Sequence, residues 1–123
     1  MPRVIIDTSS ILFGIRFKKD VFDAAQLTIP KCVIVASKGI MDELDGIKEN
    51  GGRRGGEARI ALSLLKRHKV YIDKSREYPD SWIRKTAAKY KNSIVITNDT
   101  ALLKKIGSAG GRAMRLSMGG FLK

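Results

Sequence analysis

An α/β domain with helices on both faces of a parallel sheet is predicted by the order of apolar patterns along this chain. Short runs rich in Val and Ile alternate with segments of helical period, and such alternation builds strand–helix–strand units with right-handed crossovers. Several of the runs are continuously apolar, which suits strands buried on both faces. Acids also stand at the ends of two of these runs, Asp7 and Asp99. In a parallel sheet the carboxyl ends of the strands are where ligands bind.

Taken in order, the five strand candidates are Val4–Ile6, Cys32–Ala36, Val70–Ile72, Ser93–Thr97 and Arg112–Leu116. Between the first two, Ser9 or Ser10 is positioned to cap a helix through Ile11, Leu12 and Phe13, and Asp20 to cap one through Val21–Ala25. Ser37 caps a segment in which Ile40, Leu44 and Ile47 share a face. Ala58, Ala61, Leu62 and Leu65 share another over Glu57–Arg67. Gly46–Gly56 holds five glycines and is expected to be a mobile, Arg-bearing loop. It lacks the Lys-Ser/Thr ending of a P-loop. Asp80 opens a helix with Ile83, Ala87 and Tyr90 on one side. Asp99 or Thr100 opens the last, which Gly107 is placed to end.

The 123 residues, 43% of them hydrophobic, fit one domain with a real core. No stretch approaches the roughly 20 apolar residues that span a bilayer, and the opening segment does not read as a signal peptide. A cytoplasmic protein is expected. The single cysteine, Cys32, lies in an apolar run and reads as a buried structural thiol. The single histidine, His68, lies among Lys66, Arg67 and Lys69 and reads as a surface residue, so histidine-based triads find little support. Lys and Arg number 24 against 12 for Asp and Glu, a formal charge of +12. That bias favours a polyanionic partner, nucleic acid ahead of an anionic membrane, because no basic amphipathic helix stands out.

In so basic a chain the acids at helix and strand ends stand out: Asp7, Glu43, Asp80 and Asp99. Brought together, four carboxylates would repel one another unless a cation intervened. Mg²⁺ or Mn²⁺ suits an all-oxygen donor set and can activate water for phosphodiester hydrolysis without histidine. Capping is the plain alternative for Asp7, Asp80 and Asp99. It does not account for Glu43, which falls inside a helix.

These residues resemble a PIN-domain nuclease. Val4-Ile5-Ile6-Asp7-Thr8-Ser9 is similar to the opening strand with its first acid and a hydroxyl two positions on. Ile40-Met41-Asp42-Glu43-Leu44 is similar to the helix bearing the family's glutamate. Asp80 with Ile83 matches the third-acid helix, and Ile94-Val95-Ile96-Thr97-Asn98-Asp99 with Leu102 matches the fourth. The resemblance implies a sheet of order 3-2-1-4-5 and a divalent-metal-dependent endoribonuclease. It implies Asp7 and Asp99 as direct metal ligands and Glu43 and Asp80 as further catalytic or metal-binding acids. Thr8, Ser9, Thr97 and Asn98 would support them, while Lys48, Arg53 and Arg54 would hold RNA. Ser81 departs from the family, where a second Asp often follows the third acid, which weakens a second metal position. Trp82 is left to core, interface or base stacking.

Within the family the chain resembles compact archaeal proteins of the rRNA-processing kind, with a ribosome-assembly partner, and also VapC-type toxins restrained by an antitoxin. Homodimers and a catalytically inactive RNA-binding module are further possibilities of the resemblance. Two other families fit poorly. A phosphoacceptor receiver needs an acidic pair after strand one, and a haloacid-dehalogenase-type phosphatase needs Asp where Ser9 stands.

Overall fold

The computed structural model describes residues 1–123. Its core is a five-stranded, all-parallel sheet of order β3-β2-β1-β4-β5, as the resemblance implied. The strands are β1 (Arg3–Ile6), β2 (Val33–Ser37), β3 (Tyr71–Asp73), β4 (Ser93–Ile96) and β5 (Arg112–Met114). The helices are α1 (Thr8–Arg16), α2 (Val21–Thr28), α3 (Lys38–Glu49), α4 (Gly52–Arg67), α5 (Pro79–Lys89) and α6 (Thr100–Ser108). The crossovers towards β3 carry α1 to α4 and those towards β5 carry α5 and α6. Right-handed connections therefore put the two sets on opposite faces, consistent with packing of α3 on α4 and of α5 on α6. No helix is long and apolar enough to cross a membrane.

The Val/Ile runs become strands because both faces of the sheet centre are covered. Val4, Ile5, Ile6, Val95 and Ile96 are all fully buried, and each such side chain contributes about 1.5–3 kcal/mol relative to exposure. Cys32 is a buried free thiol, and burial pushes its pKa up. Trp82 is also buried, in the core cluster.

The cap residues behave unequally. Asp20 accepts from the Phe22 and Asp23 backbone N–H groups, and Ser37 accepts from Ile40. Ser9 and Ser10 do not cap α1: they lie in its first turn, and Asp7 occupies the cap position. Asp80 is likewise inside the first turn of α5, behind Pro79, whose missing N–H costs nothing there. Gly107 falls within α6, which runs to Ser108 with Ala109 as its C-cap.

The glycine-rich stretch is not a loop. Residues 46–49 complete α3, residues 52–56 begin α4, and only Asn50 and Gly51 separate them. Gly51 and Gly52 both have φ of +69°, the left-handed conformation that lets the chain reverse so tightly. Gly55 is buried at the α3–α4 seam, where an added Cβ would stand 3.1 Å from the Lys48 carbonyl. Tertiary packing between the helices thus overrides a propensity cost of about 1 kcal/mol per glycine. The Arg16 guanidinium grips the buried Glu57 carboxylate at 3.1 and 3.4 Å, fastening α1 to α4.

Beyond β5, Leu116 and Leu122 form an isolated antiparallel bridge across a short turn. The fifth strand is thus shorter than the apolar pattern suggested, and the third is shifted one residue onward.

Candidate active site

The register of the sheet centre sets the site. Ile6 pairs with Ile96, and the Asp7 N–H donates to the Ile96 carbonyl at 2.9 Å. Asp7 and Thr97 therefore emerge side by side where β1 and β4 end. The order 3-2-1-4-5 makes this the topological switch point, where the crevice of a parallel sheet opens.

Around Asp7 the hydroxyls form a directed network. Thr97 and Ser9 both donate to Asp7 Oδ2, each at 2.8 Å. Ser9 Oγ accepts from the Asn98 N–H at 3.0 Å, and Thr97 Oγ1 from the Asp99 N–H at 3.0 Å. The ends of β1 and β4 are laced together through one carboxylate oxygen. The side chain of Asp7 makes no capping bond to α1, so capping does not account for it. Asp99, by contrast, caps α6: its Oδ1 accepts from Ala101 and Leu102 at 2.9 and 3.2 Å. That bond fixes the carboxylate and leaves Oδ2 without a hydrogen bond from the chain. The Asn98 side chain turns elsewhere, exchanging two bonds with the Leu116 backbone at 2.8 and 3.1 Å.

Asp7, Glu43, Asp80 and Asp99 line one cavity of about 210 Å³, together with Thr8, Ser9 and Arg54. Glu43 reaches it from α3, Asp80 from α5 and Arg54 from the first turn of α4. Asp80 is flanked by Arg84 at 3.7 Å and Lys105 at 3.9 Å. Arg84 lies one turn along the same helix, a spacing readable from sequence. Lys105 comes from α6, and Tyr78, which also lines the cavity, carries no motif. Arg53 lies with Arg54 in an adjoining shallow depression, and Lys48 pairs with Asp45 at 3.5 Å.

Burial pushes the Asp7 carboxyl above its ordinary range, and the negative charge of Glu43 pushes the same way. The Thr97 and Ser9 hydroxyls and the Thr8 backbone oppose them. Nearby, Thr8 Oγ1 is buried without any hydrogen-bond partner, an arrangement native interiors rarely leave unexplained. An oxygen-only donor set, an ionisation-resisting carboxylate and an orphan hydroxyl in one cavity fit a hard divalent cation. No three of these acids bring ligand atoms within 4.8 Å of one another. Such an open set suits an ion whose shell is completed by water and substrate oxygens.

The tighter cluster is elsewhere. Asp20, Asp23 and His68 place their ligand atoms within 4.8 Å of one another. His68 is not the surface residue that its sequence neighbours suggested. Its Nε2 is 2.8 Å from Asp20 Oδ2, its ring stacks on Phe22, and its side chain is only 16% exposed. Its basic neighbours in sequence, Lys66, Arg67 and Lys69, are exposed, and two acids are its neighbours in space. Since Asp20 also caps α2, the group fastens the start of α2 to the end of α4. The 16-residue α4 separates it from Arg54 by about 20 Å at 1.5 Å per residue.

A family model described as a PIN like domain matches residues 4–118. The solved structure of the PIN domain endonuclease Utp24 superposes with a TM-score of 0.77 at 27% identity, covering 94% of this chain and 85% of that one. A domain of a functionally unknown protein from Methanocaldococcus jannaschii DSM 2661 has a TM-score of 0.68 at 19% identity, covering 95% and 92%, and shares the fold. A search of curated protein sequences gives no match. Members of this family are typically metal-dependent nucleases. By the extent of the family match and the topology of its sheet, this chain belongs to the PIN-like domain family.

Proposed function

We propose that the protein is a Mg²⁺- or Mn²⁺-dependent endoribonuclease that hydrolyses phosphodiester bonds at the cavity bounded by Asp7, Glu43, Asp80 and Asp99. The observation that carries this reading is the convergence of four carboxylates, from separate elements, on one cavity of a chain with a formal charge of +12. The bias towards RNA rests on that charge and on the likeness to a PIN domain endonuclease.

Asp7 and Asp99 are the direct metal ligands in this reading, with Glu43 and Asp80 bordering the substrate side. A divalent ion supplies Lewis acidity there, lowering the pKa of water and neutralising charge on the phosphate. The chain's own residues do the positioning. Ser9 and Thr97 hold one Asp7 oxygen in place, and the cap bonds of Asp99 fix its plane, so neither carboxylate has to reorganise when substrate arrives. The buried floor of Leu12 and Leu102 keeps bulk water from one side. Arg54 is the cation in the lining, and its guanidinium matches the geometry of phosphate oxygens.

In RNA cleavage assays with Mn²⁺, Asp7→Asn and Asp99→Asn should each lose activity by about 10²–10³-fold or more. RNA binding should persist in both, because removing a negative charge does not weaken attraction to a polyanion. Full activity in both variants would rule out the mechanism. Ribosomal precursor RNA with mapped ends is the first substrate to use. A binding module without turnover would show neither cleavage nor stabilisation by millimolar Mn²⁺.

A further inference from the structure

A second cleft carries charge of one sign only. It lies between α5 and α6, has a volume of about 390 Å³, and is lined by Arg84, Lys91, Lys105 and Arg112 with no acid among its lining residues. Elsewhere several surface cations are matched: Arg16 with Glu57, Lys48 with Asp45, Arg76 with Asp42, Lys85 with Glu77. In the cleft, Lys91 and Arg112 have no acidic partner, and Arg84 and Lys105 have only the loose contacts to Asp80 at 3.7 and 3.9 Å. Holding four cations along one trough raises their mutual repulsion, which an anion running through it would relieve.

The cleft also neighbours the acidic cavity. Asp80 lines the cavity, and Arg84 and Lys105, 3.7 and 3.9 Å from it, line the cleft. From Asp80 to Lys89, α5 extends about 14 Å at 1.5 Å per residue, long enough to follow a short stretch of backbone. Between the cations it is lined by the buried Ile106 and by the small residues Ala87, Ala88 and Ala109, which leave room for a backbone. No aromatic ring lines it, and Ser93 is its one uncharged polar side chain. Stacking needs rings that are missing here, and with a single neutral polar side chain the lining favours phosphate over base edges.

We propose that the α5–α6 cleft is the track for single-stranded RNA on one side of the scissile bond, gripping the phosphate backbone and ignoring base identity. The proposal rests on the endoribonuclease reading for its substrate class. No ring lines the trough to stack on a particular base, and its four cationic heads suit phosphate.

The test uses Lys91 and Arg112, which stand clear of the four acids. Anisotropy is measured with labelled RNA in Ca²⁺, so that binding is read without turnover. The double variant Lys91→Glu/Arg112→Glu is compared with Arg59→Glu/Arg67→Glu, which makes the same charge change in another shallow depression on α4. The cleft variant should bind a long RNA at least about tenfold more weakly than the control variant. The salt slope, log K against log salt, should flatten by about 1.4 for two lost phosphate contacts on a single strand. The loss should vanish for an RNA shortened on one side of the cleavage site and remain for one shortened on the other. In Mn²⁺ kinetics KM should rise with kcat unchanged.

Equal losses in the two variants, or a loss independent of RNA length, would overturn the proposal. So would displacement of RNA from the wild-type cleft by oligo-glutamate of equal charge, which would assign it to an acidic protein. If cleavage is never observed but the length-dependent binding loss appears, the nuclease reading fails and the track stands. If cleavage occurs and the cleft variant matches the control, the reverse holds.

Discussion

At the scale of single residues, Asp7 is held from two sides, its Oδ2 accepting from both Ser9 and Thr97. Its ordinary pKa is 3.8, and burial followed by the Glu43 charge raises it in the fold. The folded chain thus holds that proton more tightly than the unfolded chain. The resulting stabilisation is complete below 3.8 and is lost as pH rises through the folded value. At neutral pH, without metal, ionised Asp7 is a net cost. Asp7→Asn should therefore raise the metal-free Tm by a few degrees at pH 7, with the gap closing as the pH falls. If Asp7 holds the ion as proposed, Mn²⁺ should stabilise the wild type less as the pH falls towards 3.8, because ion and proton then compete for one carboxylate, and should move the Asn variant less. Thermal denaturation across that pH range checks both signs.

The acids themselves were legible in the sequence, because Asp7 and Asp99 follow apolar runs and Glu43 has no cap to explain it. The hydroxyl network was legible only as nearby Ser and Thr residues. Which oxygen each serves depends on the β1–β4 register. Lys105 was not legible beside Asp80, since the two meet only when α5 and α6 pack. His68 misled for the same reason in reverse: its sequence neighbours are cations, while its partners lie 48 and 45 residues away.

At the scale of elements, the site depends on how closely helices approach their neighbours. The Gly39 N–H donates to the Ser75 carbonyl at 3.0 Å, and a Cβ at Gly39 would collide with the Glu77 carbonyl. This contact joins α3, which bears Glu43, to the segment leading into α5, which bears Asp80. Gly39→Ala should cost about 1–3 kcal/mol in urea denaturation. It should also weaken Mn²⁺ stabilisation, because relief of the clash moves Asp80 away from Glu43. A variant with lower stability and unaltered Mn²⁺ response would separate the two roles.

Strands and helical faces were readable because buried parallel strands leave a continuous apolar signature. The α3–α4 hairpin was not. Local propensity reads glycines as breakers, yet Gly55 serves close helix packing and only Gly51 and Gly52 serve the turn. The correction bears on the site. A rigid hairpin sets Arg54 at the cavity wall, where a mobile loop would only visit it.

Over the whole molecule, positive charge dominates, and acids concentrate where cations cannot neutralise them all. RNA affinity should fall steeply with salt. A track engaging four phosphates on a single strand gives a slope of about −2.8, and titration between 50 and 200 mM salt measures it. Metal affinity should depend on salt far less, since its ligands are fixed by hydrogen bonds rather than gathered by long-range attraction.

The placing of β1 between β2 and β4 has a bearing on how the protein is made. Asp7 is synthesised before its partner Thr97, which follows 90 residues later. At roughly 5–20 residues per second, some 5–18 s separate their emergence. Until then β1 lacks its β4 neighbour, Asp7 lacks the Thr97 hydroxyl, and Asp99 does not exist. A partly made chain, still surrounded by messenger and ribosomal RNA, has no assembled acidic cavity. The topology that brings distant parts of the chain together also delays the site's completion until β4 and the start of α6 have been made.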